Sequence, residues 1–206
     1  IAAYFASGGE TAVLLAVLED HLREVARGVE ELRLRAGTET GMSVQTIALP
    51  AVTCCRRLCE GHTVADKYNA MYDFYGECVR RGYRLSDEPI FTVSQRQDFL
   101  NGYIADEPYP FWVCVPVRPE KAPKEAVVLP ACRALSVLYY GSYAGADEAI
   151  LRLGREVKAR GLTPAGDPRA LGIVAPYTGR EIETKRYCSR LVLPVEGEPE
   201  QYFPVE

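Results

Sequence analysis

Leu49-Pro50-Ala51-Val52-Thr53-Cys54-Cys55-Arg56-Arg57-Leu58-Cys59-Glu60-Gly61 decides the fold, because the chain states its outline twice. Eighty residues later Leu129-Pro130-Ala131 repeats the opening, and Gly141 repeats the close. Arg81-Gly82-Tyr83 matches Arg160-Gly161-Leu162 at a shift of 79, and Val113-Cys114-Val115-Pro116-Val117 matches Leu191-Val192-Leu193-Pro194-Val195 at a shift of 78. Landmarks kept in order at nearly constant spacing mark an internal duplication.

Each copy reads as strand, glycine turn, helix, strand, strand. Apolar strands are predicted at 52–58 and 134–140. The first helix is predicted over 64–80, with Tyr68, Met71, Tyr72, Tyr75 and Val79 on one face, and the second over 145–160, with Ile150, Leu153 and Val157 buried. Gly82 and Gly161 supply the helix stops. Strands at 90–95 and 111–117 close the first copy, and strands at 171–175 and 187–195 close the second. The fold class is therefore α+β, a duplicated βαββ domain with two helices over one antiparallel sheet. The concave surface between the copies is the natural pocket.

Ahead of the repeats, Leu15, Leu18, Leu22, Val25, Val29 and Leu32 follow a 3-4 spacing, the seam of a coiled coil. Such a stripe needs a second helix to bury it, so a homodimer through a long N-terminal helix is expected, ending near Gly37. The chain begins at Ile1, inside this helical pattern.

The 206 residues are 48% hydrophobic, with 24 basic against 28 acidic side chains, which excludes a disordered chain and a chain-wide nucleic-acid footprint. No run approaches the roughly 18 apolar residues of a membrane helix, and the amino terminus lacks a basic-then-apolar signal pattern. A soluble cytoplasmic protein with no membrane partner is expected, its seven cysteines reduced. Cys54, Cys55 and Cys59 are the nearest approach to a soft-metal set, but a strand would send Cys54 and Cys55 to opposite faces. Neither a metal nor a cofactor is expected.

The two βαββ units, Gly141-Ser142-Tyr143 after the first strand of the second copy, and closing strands ending in Pro-Val resemble the gyrase-inhibitor-like (GyrI-like) effector-binding domain. The preceding Ile1-Ala2-Ala3-Tyr4-Phe5 and the heptads resemble the MerR family of transcription regulators. The resemblance implies residues 1–37 as the end of a DNA-binding region plus a coiled-coil dimerisation helix. It implies 43–196 as the effector-binding domain (repeats 43–118 and 126–196), with a solvated tail at 197–206. Promoter DNA would be read only by a domain ahead of Ile1.

Members of this family that bind lipophilic cations use aromatic side chains and one or two glutamates, since aromatic faces attract a cation and a carboxylate neutralises it. Tyr68, Tyr72, Phe91, Trp112 and Tyr143 are the candidate aromatics, and each also suits a core. Aligning Gly166-Asp167-Pro168-Arg169 with the family places Ala170 at one acid position, and Arg190 stands at the other. The shift of 78 makes Trp112 the counterpart of Arg190, so the two are expected to face each other across the pseudo-twofold axis. A multidrug-type pocket modified in this way is expected to favour an aromatic effector that is neutral or anionic. Some stand-alone GyrI-like proteins hydrolyse electrophilic compounds, which is the alternative reading. Without the pocket acid, and with no Gly-x-Ser-x-Gly, phosphate-loop or HExxH motif, an enzyme is not expected.

Overall fold

A computed structural model describes residues 42–141, 145–174 and 187–197, and the compact unit considered below starts at Val44. The seam residues Leu15, Leu18, Leu22, Val25, Val29 and Leu32, Tyr143, and the tail beyond Gly197 lie outside the described residues.

In chain order the elements are β1 (Val44–Leu49), β2 (Val52–Gly61), α1 (Val64–Arg80), β3 (Phe91–Ser94), β4 (Tyr109–Pro116), β5 (Val127–Leu129), β6 (Cys132–Tyr140), α2 (Ala146–Ala159), β7 (Arg169–Val174) and β8 (Cys188–Pro194). The strands form one sheet in the order β1-β6-β8-β7-β3-β4-β2-β5, with every neighbouring pair antiparallel. The duplication is visible in that order. One repeat supplies β2, α1, β3 and β4, the other β6, α2, β7 and β8, and the sheet passes from one to the other at the β3–β7 pair.

Two strands go beyond the sequence reading, and they tie the repeats together. β1 precedes the first repeat but pairs with β6 of the second, whereas β5 precedes the second repeat but pairs with β2 of the first. Leu49 lies opposite Cys132, and Leu129 lies opposite Val52. A shift of 80 converts one pair into the other, so the repeats exchange leading strands symmetrically. Each Leu-Pro-Ala landmark is the corner where the exchanged strand leaves. Proline suits that corner because it has no amide hydrogen to give the ladder.

Local chemistry sets the helix ends. The Thr63 hydroxyl accepts from the Asp66 amide at 3.1 Å and the Asp66 carboxylate accepts from the Thr63 amide at 3.0 Å, a reciprocal capping box that starts α1. The Thr63 hydroxyl acting on the carboxylate, followed by the Thr63 and His62 amides, holds the Asp66 carboxyl below its ordinary range. Both helices end alike. Gly82 and Gly161 take φ of 72° and 60°, and the following amides, of Tyr83 and Leu162, donate to the carbonyls of Cys78 and Val157. That double closure needs a left-handed residue, which glycine supplies without strain.

α1 packs on β2 and β4, and α2 on β6 and β8. Ala149, Leu153 and Val157 of α2 are buried as the sequence indicates. The α1 stripe differs from the sequence reading. Its buried members are Phe74 and Cys78, flanked by Met71 and Tyr75, while Tyr72 and Val79 are 59% and 51% exposed. Tyrosines with apolar bodies and polar tips tolerate either side of a helix, so a stripe drawn through them lands about one position off. Across the repeats, the turn Asp98–Asn101 packs on α2. A Cβ at Gly154 would stand 2.5 Å from the Phe99 carbonyl oxygen, so only glycine permits that approach.

Strand alternation gives the sheet a helix-covered face and a second face. Cys55 packs with Phe74 and Cys78 beneath α1, while Cys54 packs with Phe91 and Cys114 on the other side. The adjacent thiols therefore diverge, as a strand requires. Burial pushes the Cys55 thiol up to about 12. Among the described residues no helix is long and apolar enough to cross a membrane.

Candidate functional site

The β3–β7 pair is the centre of the duplication. Phe91 lies opposite Leu171, Thr92 opposite Ala170, and Val93 opposite Arg169. A shift of 78 turns Thr92 into Ala170, so the pseudo-twofold axis runs through that one pair. Each helix packs chiefly on strands of its own repeat away from this axis. The middle of the helix-covered face is consequently left hollow, with a cavity of about 110 Å³.

Its floor is the helix-facing set of the central strands. Thr92 and Ser94 come from β3, Ala170 from β7, and Ser189 and Leu191 from β8. Tyr68 and Met71 of α1 and Ile150 of α2 form apolar walls. Thr92, Ser94 and Ser189 are only 2%, 6% and 4% exposed. Among the described residues none of these three hydroxyls is engaged by another side chain. Burial raises the Tyr68 hydroxyl above its usual pKa, and the neighbouring Tyr187 and Tyr72 act in the same direction.

Charges sit on the walls rather than the floor. Lys67 lies over the Tyr109 ring, its ammonium 5.0 Å from the centroid. His62 is 3.5 Å from the exposed Asp106 carboxylate. Asp147, in the first turn of α2, is the one carboxylate among the described lining residues. No group of three histidine, cysteine or acidic side chains among the described residues could hold a metal ion.

Of the residues singled out in the sequence, the cavity gathers Tyr68 and Ala170. Tyr72 stacks on Tyr68 with centroids 6.4 Å apart but faces solvent. The expectation that Trp112 and Arg190 share this cavity needs correction. In β8 the residues facing the helices are Ser189 and Leu191, so Arg190 between them faces away. Trp112 in β4 likewise alternates with the core residues Phe111 and Val113 beneath α1. The two are symmetry counterparts on the second face, but β7 and β3 stand between their strands.

Phe91 also belongs to that second face, 3% exposed and packed with Cys54 and Cys114. The guanidinium of Arg56 lies 4.2 Å from the centre of the Trp112 ring. A hydrogen bond with Cys114 lowers the Cys54 thiol pKa against the effect of burial, and the positive charges of Arg56 and Arg169 assist. This face thus collects arginines and aromatics, and the cavity collects hydroxyls.

Sequence reasoning missed Thr92, Ser94 and Ser189. The signal was present in residues 91–94, where Phe91 and Val93 alternate with Thr92 and Ser94. Alternation alone does not say which set faces the helices.

No family model matches the sequence, and no curated protein does. Solved structures do. EcmrR, in a cryo-EM structure of an EcmrR–DNA complex in EcmrR-RPo, superposes with a TM-score of 0.64 at 13% identity, over 95% of this chain and 75% of that one. The crystal structure of the EcmrR C-terminal domain gives a TM-score of 0.63 at 17% identity, over 76% of this chain and 98% of that one. SAV2435 bound to tetraphenylphosphonium gives 0.49 at 12% identity, over 76% and 95%. At these identities the likeness is one of fold: this chain is built like the C-terminal domain of the MerR-family regulator EcmrR.

Proposed function

We propose that this chain is the small-molecule effector-binding and dimerisation portion of a MerR-type transcription regulator. The observation that carries the reading is the hollow at the β3–β7 join, where α1 of one repeat and α2 of the other both contribute walls to a single cavity. A ligand there touches α1, α2 and the central strands at once, so its binding depends on how the repeats are set against each other. Such a ligand shifts any equilibrium between two settings by its difference in affinity for them. In the intact regulator that shift would pass through the dimerisation helix to the DNA-binding part.

The effector would be a small aromatic molecule, neutral or anionic. The support for excluding a cation moves from Arg190 to the floor itself, where Ala170 and three hydroxyls stand and, among the described residues, no carboxylate does. A binding role is supported by the same floor, whose described helix-facing residues are Thr92, Ser94, Ala170, Ser189 and Leu191.

The test is calorimetric titration of this chain with benzamide, a ring-sized aromatic amide, alongside the Ala170→Phe variant. The expected result is saturable binding that Ala170→Phe abolishes while circular dichroism shows the fold intact. Unchanged affinity in the folded variant contradicts the proposal.

A further inference from the structure

We infer that the cavity selects an uncharged ligand that is held by the hydroxyls distributed over its floor, Thr92 and Ser94 from β3 and Ser189 from β8, which makes these three the specificity-determining residues. The inference rests on the effector-binding reading above and names the ligand class of that site.

The hydroxyls carry it. A polar group withdrawn from water and left without a partner is unfavourable, so buried hydroxyls are ordinarily spent on a neighbour. These three are more than nine-tenths buried, line the cavity, and are engaged by no side chain among the described residues. They are spread across the floor: Thr92 and Ser94 are neighbours on one face of β3, and Ser189 stands on β8, opposite Gly172 of the intervening strand β7. A hydroxyl both donates and accepts, so the set meets carbonyl oxygens and amide hydrogens equally well.

Charge of either sign fits poorly. A buried cation loses its hydration and needs a carboxylate, yet Ala170 occupies the central position and Asp147 lies in the first turn of α2 rather than on the floor. The described basic lining groups, Lys67, His62 and Arg169, further disfavour it. An anion would need one of those cations. Lys67 is committed to the Tyr109 ring, His62 has the Asp106 carboxylate beside it, and the charge of Arg169 bears on Cys54 and Cys114 of the second face. What remains is a set of neutral dipoles between the apolar surfaces of Met71, Ile150 and Leu191.

Size narrows the class. A volume of about 110 Å³ is on the scale of one aromatic ring, given that a dry cavity of about 150 Å³ takes up benzene. The ligand, or the part of it that enters, is therefore a single ring bearing a neutral hydrogen-bonding group such as an amide.

Benzamide, benzamidinium and benzoate share one shape and carry charges of zero, plus one and minus one. Titrated into this chain, benzamide is expected to bind about tenfold or more tightly than either ion. Thr92→Val/Ser94→Ala/Ser189→Ala is expected to weaken benzamide about tenfold, since each hydrogen bond is worth a few-fold. Toluene, which makes no hydrogen bonds, should bind the triple variant at least as well as the parent, which separates lost recognition from a damaged fold. Ser189→Ala alone serves if the triple variant does not fold, with a loss of about threefold. Benzamidinium or benzoate binding as tightly as benzamide overturns the inference, as does unchanged benzamide affinity in the variants. Failure of all four probes to bind contradicts the cavity reading itself, whereas a preference for an ion contradicts only the ligand class.

Discussion

Thr92 and Ala170 face the helices, while their chain neighbours Phe91, Val93 and Leu171 pack on the other side, where the charge of Arg169 acts on Cys54. One step along the strand separates a hollow lined by hydroxyls from a face of packed apolar groups and guanidiniums. The duplication explains the hollow. Each helix covers its own repeat, and two helices related by a twofold leave the axis between them uncovered. The second face has no helix among the described residues; there Phe91 packs against Cys54 and Cys114, beside a smaller cavity of about 50 Å³ that Phe91, Arg169 and Leu171 help to line.

The largest effect tests whether the second face is structural. Phe91→Ala should cost about 3–5 kcal/mol in denaturant unfolding, the usual range for deleting a buried phenyl. Thr92→Val, one residue away, keeps the branched shape and removes only a hydroxyl that no side chain engages, so it should change stability by less than about 1.5 kcal/mol. Similar losses at both positions would break the contrast between the faces.

Next comes the clasp that sets the β3–β4 connection against α2. The Arg96 guanidinium donates to Asp98 at 2.7 Å, and the Ala105 amide donates to the same carboxylate at 2.6 Å. Burial pushes the Asp98 carboxyl up, but these bonds more than reverse it, so its pKa lies below the usual 3.8. The stabilisation is thus complete above that ordinary value and is lost as pH falls through the lower native one. Asp98→Asn should cost about 1–3 kcal/mol at pH 7, with the difference from the parent shrinking below about pH 4. A difference independent of pH would show that the carboxylate charge plays no part.

Smaller effects are expected outside the cores. Arg56→Gln removes the cation from the Trp112 ring and should cost about 0.5–1 kcal/mol. Tyr72→Ser, on the solvent side of α1, should fall within about 0.5 kcal/mol. A loss above about 2 kcal/mol at Tyr72 would restore that residue to the core stripe.

Much of the architecture was legible because it was written twice. The Leu-Pro-Ala corners, the two glycine stops and the Pro-Val closing strands all fall where the repeat places them. The exchanged strands β1 and β5 were not foreseen, because Val127–Leu129 is only three residues long and pairing partners leave no mark in a local pattern. The site was half legible. Ala170 and Tyr68 line the cavity, but Arg190 and Trp112 fall on the other face, since period-two alternation fixes which residues share a face without fixing which face is covered. Chemistry pulled the same way, because an arginine and a tryptophan attract attention as ligand contacts while serines and threonines read as ordinary strand residues.

Trp112, the only tryptophan in the chain, gives the most direct test of the central claim that ligand enters the helix-covered hollow. With the uniformly ¹⁵N-labelled chain titrated with benzamide, the amide resonances of Thr92, Ser94, Ala170 and Ser189 should shift together to saturation, and the Trp112 indole N–H should stay in place. A saturating shift of the indole with those four amides unmoved would contradict the account and put the ligand on the opposite face of the sheet.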